Sequence, residues 1–70
     1  MIRLLHEEDR ISVLHFLYQE STYNFFIIGD IEAYGFNESF QRIYAEYDEA
    51  GNLLSVFLRY REHAVYYAPT

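Results

Sequence analysis

NFFIIGDIEAYGF, residues 24–36, reads as a short apolar helix closed by a glycine. At helical angles Tyr23, Ile27, Ile28, Ile31 and Tyr34 share one face, whereas Phe25 and Phe26 project away from it. One core cannot take both faces, so the spacing predicts either a helix between two layers or a face that waits for a partner. Ser21 or Thr22 offers an N-cap oxygen for a start near Tyr23. Gly35 supplies the stop, because glycine tolerates the positive φ that commonly ends a helix. Gly29, inside the helix, costs about 1 kcal/mol relative to alanine. Close approach by a neighbouring element is the expected reason for it.

Upstream, Ile2 to Leu5 is a strand candidate, and His6 to Asp9 brings acids to the first turn of another helix, where they suit the positive end of its dipole. In that first helix Ile11, Val13, Leu14, Leu17 and Tyr18 fall on one broad arc, with Phe16 outside it, and the end is expected near Gln19 or Glu20. Downstream the period changes to two. Ile43, Ala45 and Tyr47 alternate with Arg42, Tyr44 and Glu46, as in a half-buried strand. Asp48 to Asn52, DEAGN, carries turn chemistry, with Gly51 free to take positive φ. A second strand follows from Leu53 to Arg61, setting Leu54, Val56, Leu58 and Tyr60 against the other side. A reversal at Glu62 and His63 leads into a third strand, Ala64 to Ala68, ended by Pro69. The expected fold is α+β: a mostly antiparallel sheet of three or four strands with two helices, in the order β-α-α-β-β-β.

Seventy residues allow one small domain, which at this size buries only about 60% of the surface its unfolded chain exposes. Half of the residues are hydrophobic, and eight tyrosines and six phenylalanines are more than so short a chain can hide. Some apolar area is therefore expected to face a second copy, the rest of a longer protein or a ligand. Net charge is −6, from eleven acids against five basic residues, so the field repels phosphate and argues against nucleic acid. With no cysteine there is neither a disulfide frame nor a cysteine-based zinc site, which fits a reducing compartment. MIRLLHEEDR meets acids before any long apolar run, so it resembles neither a signal peptide nor a membrane span. The expectation is a soluble, cytoplasmic protein.

The layout, with MIRLLHEEDR opening the chain, NFFIIGDIEAYGF as second helix and AEYDEAGNLLSVFLRYREHAVYY as meander, resembles the amino-terminal part of the GNAT superfamily of acetyl-CoA-dependent N-acetyltransferases. More narrowly, it is similar to a subgroup of uncharacterised bacterial GNAT proteins. The resemblance covers nearly the whole chain but only the first half of that fold, which makes residues 1–70 a single partial domain. It implies a full-length acyltransferase that passes acetyl from acetyl-CoA to an unidentified amine by direct attack in a ternary complex. In that family the cofactor's pyrophosphate is held by a loop of the type Arg/Gln-x-x-Gly-x-Gly/Ala between the fourth strand and the next helix. The glycines at 29, 35 and 51 are isolated, so this segment alone is expected to bind no acetyl-CoA and to be inactive. The family's first two helices form one lip of the acceptor cleft, and its fourth strand splays to pair with the pantetheine arm. By position, Tyr23, Asn24 and Phe25 would border the acceptor side, and Tyr66 and Tyr67 the splayed strand. The competing class is a small acidic interaction module without catalysis that dimerises through an edge strand or the second helix.

The remaining constellations carry little chemistry. His6, His15 and His63 do not share a face at ligand spacing and no HExxH pattern is present, so no metal is expected. Asp30 and Glu32 point about 160° apart on a helix. Glu46, Asp48 and Glu49 fit an ordinary charged hairpin tip better than a cation site. The serines lack a histidine at diagnostic spacing. Tyr66 and Tyr67, as neighbours on a strand, face opposite ways, and neither is assigned a catalytic role.

Overall fold

The computed structural model of the chain describes residues 1–69. Strand β1 (Ile2–Leu4) leads through a 3₁₀ turn (Glu7–Asp9) into helix α1 (Arg10–Leu17), and a second 3₁₀ turn (Tyr18–Glu20) precedes helix α2 (Phe25–Tyr34). Strands β2 (Gln41–Tyr47), β3 (Leu53–Tyr60) and β4 (His63–Tyr67) complete the chain. All neighbouring strands are antiparallel and lie in the order β1-β2-β3-β4, with both helices inserted between β1 and β2.

The helices cover one face of the sheet. Ile43, Ala45, Val56, Leu58 and Tyr67 rise from that face, where Leu5, Val13, Leu17, Ile27 and Ile31 meet them in a continuous core. The period-two pattern dictates this arrangement, because register partners such as Ile43 and Leu58, or Ala45 and Val56, must emerge on the same side. Arg3 locks β1 to the start of α1: it donates to both oxygens of Asp9, at 3.2 and 3.0 Å, and to the Tyr47 hydroxyl at 3.0 Å. The guanidinium beside it holds the Asp9 carboxyl below the usual carboxylate range, against the opposing effect of burial.

Several local expectations change. α1 buries Val13, Phe16 and Leu17, while Ile11 is 84% and Tyr18 52% exposed. The helix is thus rotated toward Phe16, whose ring stands edge-on to Tyr67 at 5.5 Å. Ile11 lies about 160° around the helix from Val13 and loses its place in the core. α2 begins at Phe25, with Asn24 rather than Ser21 or Thr22 at the cap position. Tyr23 precedes the helix and is exposed, and Tyr34 keeps only partial cover against Phe40 and Tyr60. In β3 the register shifts between Glu46 and Tyr47, so that Tyr47 pairs with Leu53 and the extra residue Leu54 leaves the buried set. The last turn is made by Arg61, at φ 53°, and Glu62, so β4 starts at His63 rather than Ala64.

The two helix-associated glycines differ. Gly35 has φ 70° and ψ −150°, and a Cβ there would sit 3.2 Å from Arg10 Nη2 and 3.3 Å from Glu7 Oε1. Any other residue there is strained by the positive φ and pushes those two side-chain ends back by a few tenths of an ångström. Gly29 corrects the expectation of close approach: a Cβ on it would meet nothing within 4 Å.

Candidate functional site

The 3₁₀ turn after α1, the start of α2 and the free edge strand β4 converge at one end of the molecule. Asn24 builds the corner. It is wholly buried, its Nδ2 donates to the last carbonyl of α1, Leu17 O, at 2.9 Å, and its backbone N–H donates to Glu20 O at 2.9 Å. A helix end leaves carbonyls without intrahelical donors, and an asparagine side chain seven residues on satisfies one of them. Asn24 Oδ1 is buried without a hydrogen-bond partner among the described residues.

Against this corner stands Tyr67, 2% exposed, with its hydroxyl donating to Glu20 Oε1 at 2.8 Å. Burial first, and then the carboxylate, raise the phenol above its ordinary value, while Asn24 pulls the other way. The Tyr23 ring tilts over Tyr67 with centroids 5.7 Å apart and is itself 69% exposed. The result is a carboxylate and an exposed aromatic ring held beside a buried phenol. A carboxylate accepts hydrogen bonds from an ammonium and an aromatic face attracts its charge, so the cluster suits an amine.

Of the five residues placed by sequence, Tyr23, Asn24 and Tyr67 come together. Phe25 and Tyr66 do not join them. Phe25, against Phe26, borders a separate groove of about 370 Å³ along α2 with Tyr18, Ile28 and Glu32. Tyr66 emerges on the opposite face of the sheet, as its register with Phe57 requires. Glu20 is the member that sequence reasoning missed. It lies in an irregular turn where neither helical nor strand periodicity points to a partner, and only the return of β4 brings the two within bonding distance.

The three glycines of the chain do not form a phosphate-binding loop. Gly29 lies inside α2, Gly35 ends it, and Gly51 sits in the β2–β3 turn at φ 87°, so none carries a strand into a helix start. Asp48 spends its carboxylate on that turn, accepting from the backbone of Ala50 and Asn52 and from Asn52 Nδ2, which together hold its pKa low. Glu46 accepts from Ser55 Oγ at 3.2 Å. Among the described residues there is no group of three or more acids or histidines that could hold a metal ion, and no helix long and apolar enough to cross a membrane. No protein-family model, curated protein or solved structure matches the chain.

Proposed function

We propose that this chain forms the acceptor-side wall of a GNAT-type N-acetyltransferase, with acetyl-CoA as the donor and an amine as acceptor. The observation that carries the proposal is topological. Two helices lie between β1 and β2, both on one face of an antiparallel β1-β2-β3-β4 sheet, and the connection between them meets the edge strand β4. The first half of the acetyltransferase fold has this layout. Within it the Glu20 carboxylate and the Tyr23 ring receive the ammonium or amine of the acceptor, while Asn24 and Tyr67 hold that pair in place. Binding the cofactor's phosphates falls to groups outside these residues, from the remainder of the same polypeptide or from a second copy. An acidic, cysteine-free chain suits the cytoplasm.

Calorimetry with spermidine as amine probe tests the proposal. Weak, salt-sensitive binding that Glu20→Gln removes supports it, with circular dichroism showing that the variant is folded. Binding equally strong in Glu20→Gln, or none at millimolar spermidine, overturns it. A small acidic module without catalysis that dimerises through an edge strand or the second helix is the second reading, favoured by the exposed Phe25 and Phe26 on α2.

A further inference from the structure

The face of the sheet that the helices leave bare is not uniformly apolar. Its middle is formed by Leu4, Tyr44, Phe57 and Tyr66, the last 54% exposed, and a hollow of about 340 Å³ runs from Tyr44, Phe57 and Tyr66 to Ile2, Glu46 and Ser55. At one end Arg42 stands directly opposite Arg59, as register partners on adjacent strands. Like charges so placed repel each other. Among the described residues their donors reach only backbone carbonyls, those of Glu38 and Gln41 for Arg42 and of Arg61 for Arg59. Neither is in an ion pair among the described residues, whereas Arg3 and Arg10 both are. At the other end of the same face Glu46 is exposed beside Ile2, and among the described residues its carboxylate accepts only from Ser55 Oγ.

Along β2 this face therefore reads arginine, tyrosine, glutamate, at positions 42, 44 and 46, and along β3 arginine, phenylalanine, serine, at 59, 57 and 55. We infer that the bare sheet face pairs with the same face of a second copy. The strands of the mate run reversed about a two-fold axis that lies between the sheets and crosses Tyr44 and Phe57. Arg42 and Glu46 are about 13 Å apart along the strand with Tyr44 midway, so the rotation sets Arg42 over the mate's Glu46. Arg59 falls over the mate's Ser55, within reach of the same carboxylate. Rotation about an axis parallel to the strands would instead stack arginine on arginine. Only the reversed arrangement is self-complementary, as a two-fold interface requires. The aromatic centre fills the hollow, and the unpaired arginines gain the anion that their own chain does not give them. A footprint of about 19 by 16 Å, from four strands and five residues at ordinary sheet spacings, is about 300 Å² per copy, below the range of stable interfaces, so the dimer is weak and depends on concentration. The pairing uses none of the residues assigned to the acceptor wall and does not rest on that proposal.

Sedimentation equilibrium from about 10 µM to about 1 mM tests the pairing on the full chain. The wild type is expected to pass from monomer to dimer. Arg42→Glu with Arg59→Glu makes the face wholly acidic, and Glu46→Arg makes it wholly basic, so each variant alone is expected to dimerise at least about tenfold more weakly. An equimolar mixture of the two is expected to form a heterodimer tighter than either homodimer. All three sites are on the surface, and circular dichroism checks the fold of each variant. A wild type that stays monomeric overturns the inference. So does a dimer unmoved by the charge variants, which would point to the β4 edge or α2, and so does a mixture that fails to restore association.

Discussion

Gly29→Ala is the sharpest test of how α2 sits on the sheet. The position is inside the helix, solvent-exposed, and bordered by open groove rather than by another element. Alanine there adds a methyl with no atom within 4 Å to resist it, and it removes the backbone freedom that glycine loses on folding. The gain is about 0.5 to 1 kcal/mol. For a chain of this size total stability is about 3.5 to 10 kcal/mol, so the change is a large fraction, equivalent to a rise of about 2 to 8 °C in Tm. Thermal unfolding followed at 222 nm, at a low concentration where the chain is monomeric, reads it out. A lowered Tm would refute the reasoning, since it would mean that a neighbouring element does approach Gly29 closely.

Gly35→Ala is expected to do the opposite, because φ 70° with ψ −150° belongs to glycine and the Cβ would press on the Glu7–Arg10 pair. The cost is about 1 to 3 kcal/mol or more, seen as a Tm lower by at least 4 °C on the same scale; an unchanged Tm would contradict it. Leu58→Ala, at a site with no exposure in the centre of the sheet, is expected to remove about 2 to 5 kcal/mol, measured as the loss in urea unfolding free energy, and a loss below 1 kcal/mol would mean the core is not organised around β3. Acid dependence follows from Asp9, whose folded pKa lies below its unfolded value because of Arg3. Its contribution is complete above the unfolded carboxylate range, about pH 4, and is lost as pH falls through the lower folded value. The urea midpoint of Asp9→Asn should therefore fall less steeply than that of the wild type between about pH 5 and pH 2, and parallel curves would refute the role given to the Arg3–Asp9 pair.

Period and punctuation made much of the fold legible. The change from a helical to a two-residue repeat at Gln41, the DEAGN turn and the glycine after Tyr34 locate α2 and the hairpin closely, since these signals are local. What failed depended on contacts distant in sequence. Two apolar arcs were available to α1, and the one containing Phe16 prevailed because Tyr67, fifty-one residues later, offers it an edge-on aromatic contact. The bulge that frees Leu54 depends on how β2 and β3 register around their turn, which alternation alone does not reveal. Ser21 and Thr22 resemble caps in sequence, but Asn24 bridges back to the end of α1, and that bond depends on how the two helices cross. The candidate site was partly legible for the same reason. Tyr23, Asn24 and Tyr67, named from their place in a resembling layout, come together in the fold, whereas Glu20 sits in a turn without periodicity and becomes visible only through its bond to Tyr67.

Amide chemical-shift mapping of the labelled chain, titrated in parallel with spermidine and with acetyl-CoA, examines the acceptor-wall proposal at the level of single residues. The proposal predicts that spermidine moves the amides of Glu20, Tyr23, Asn24 and Tyr67 together, and that acetyl-CoA produces no saturable shift at micromolar concentration. Saturable micromolar binding of acetyl-CoA by these residues, or spermidine shifts confined to the hairpin tip around Asp48 and Glu49, would contradict it.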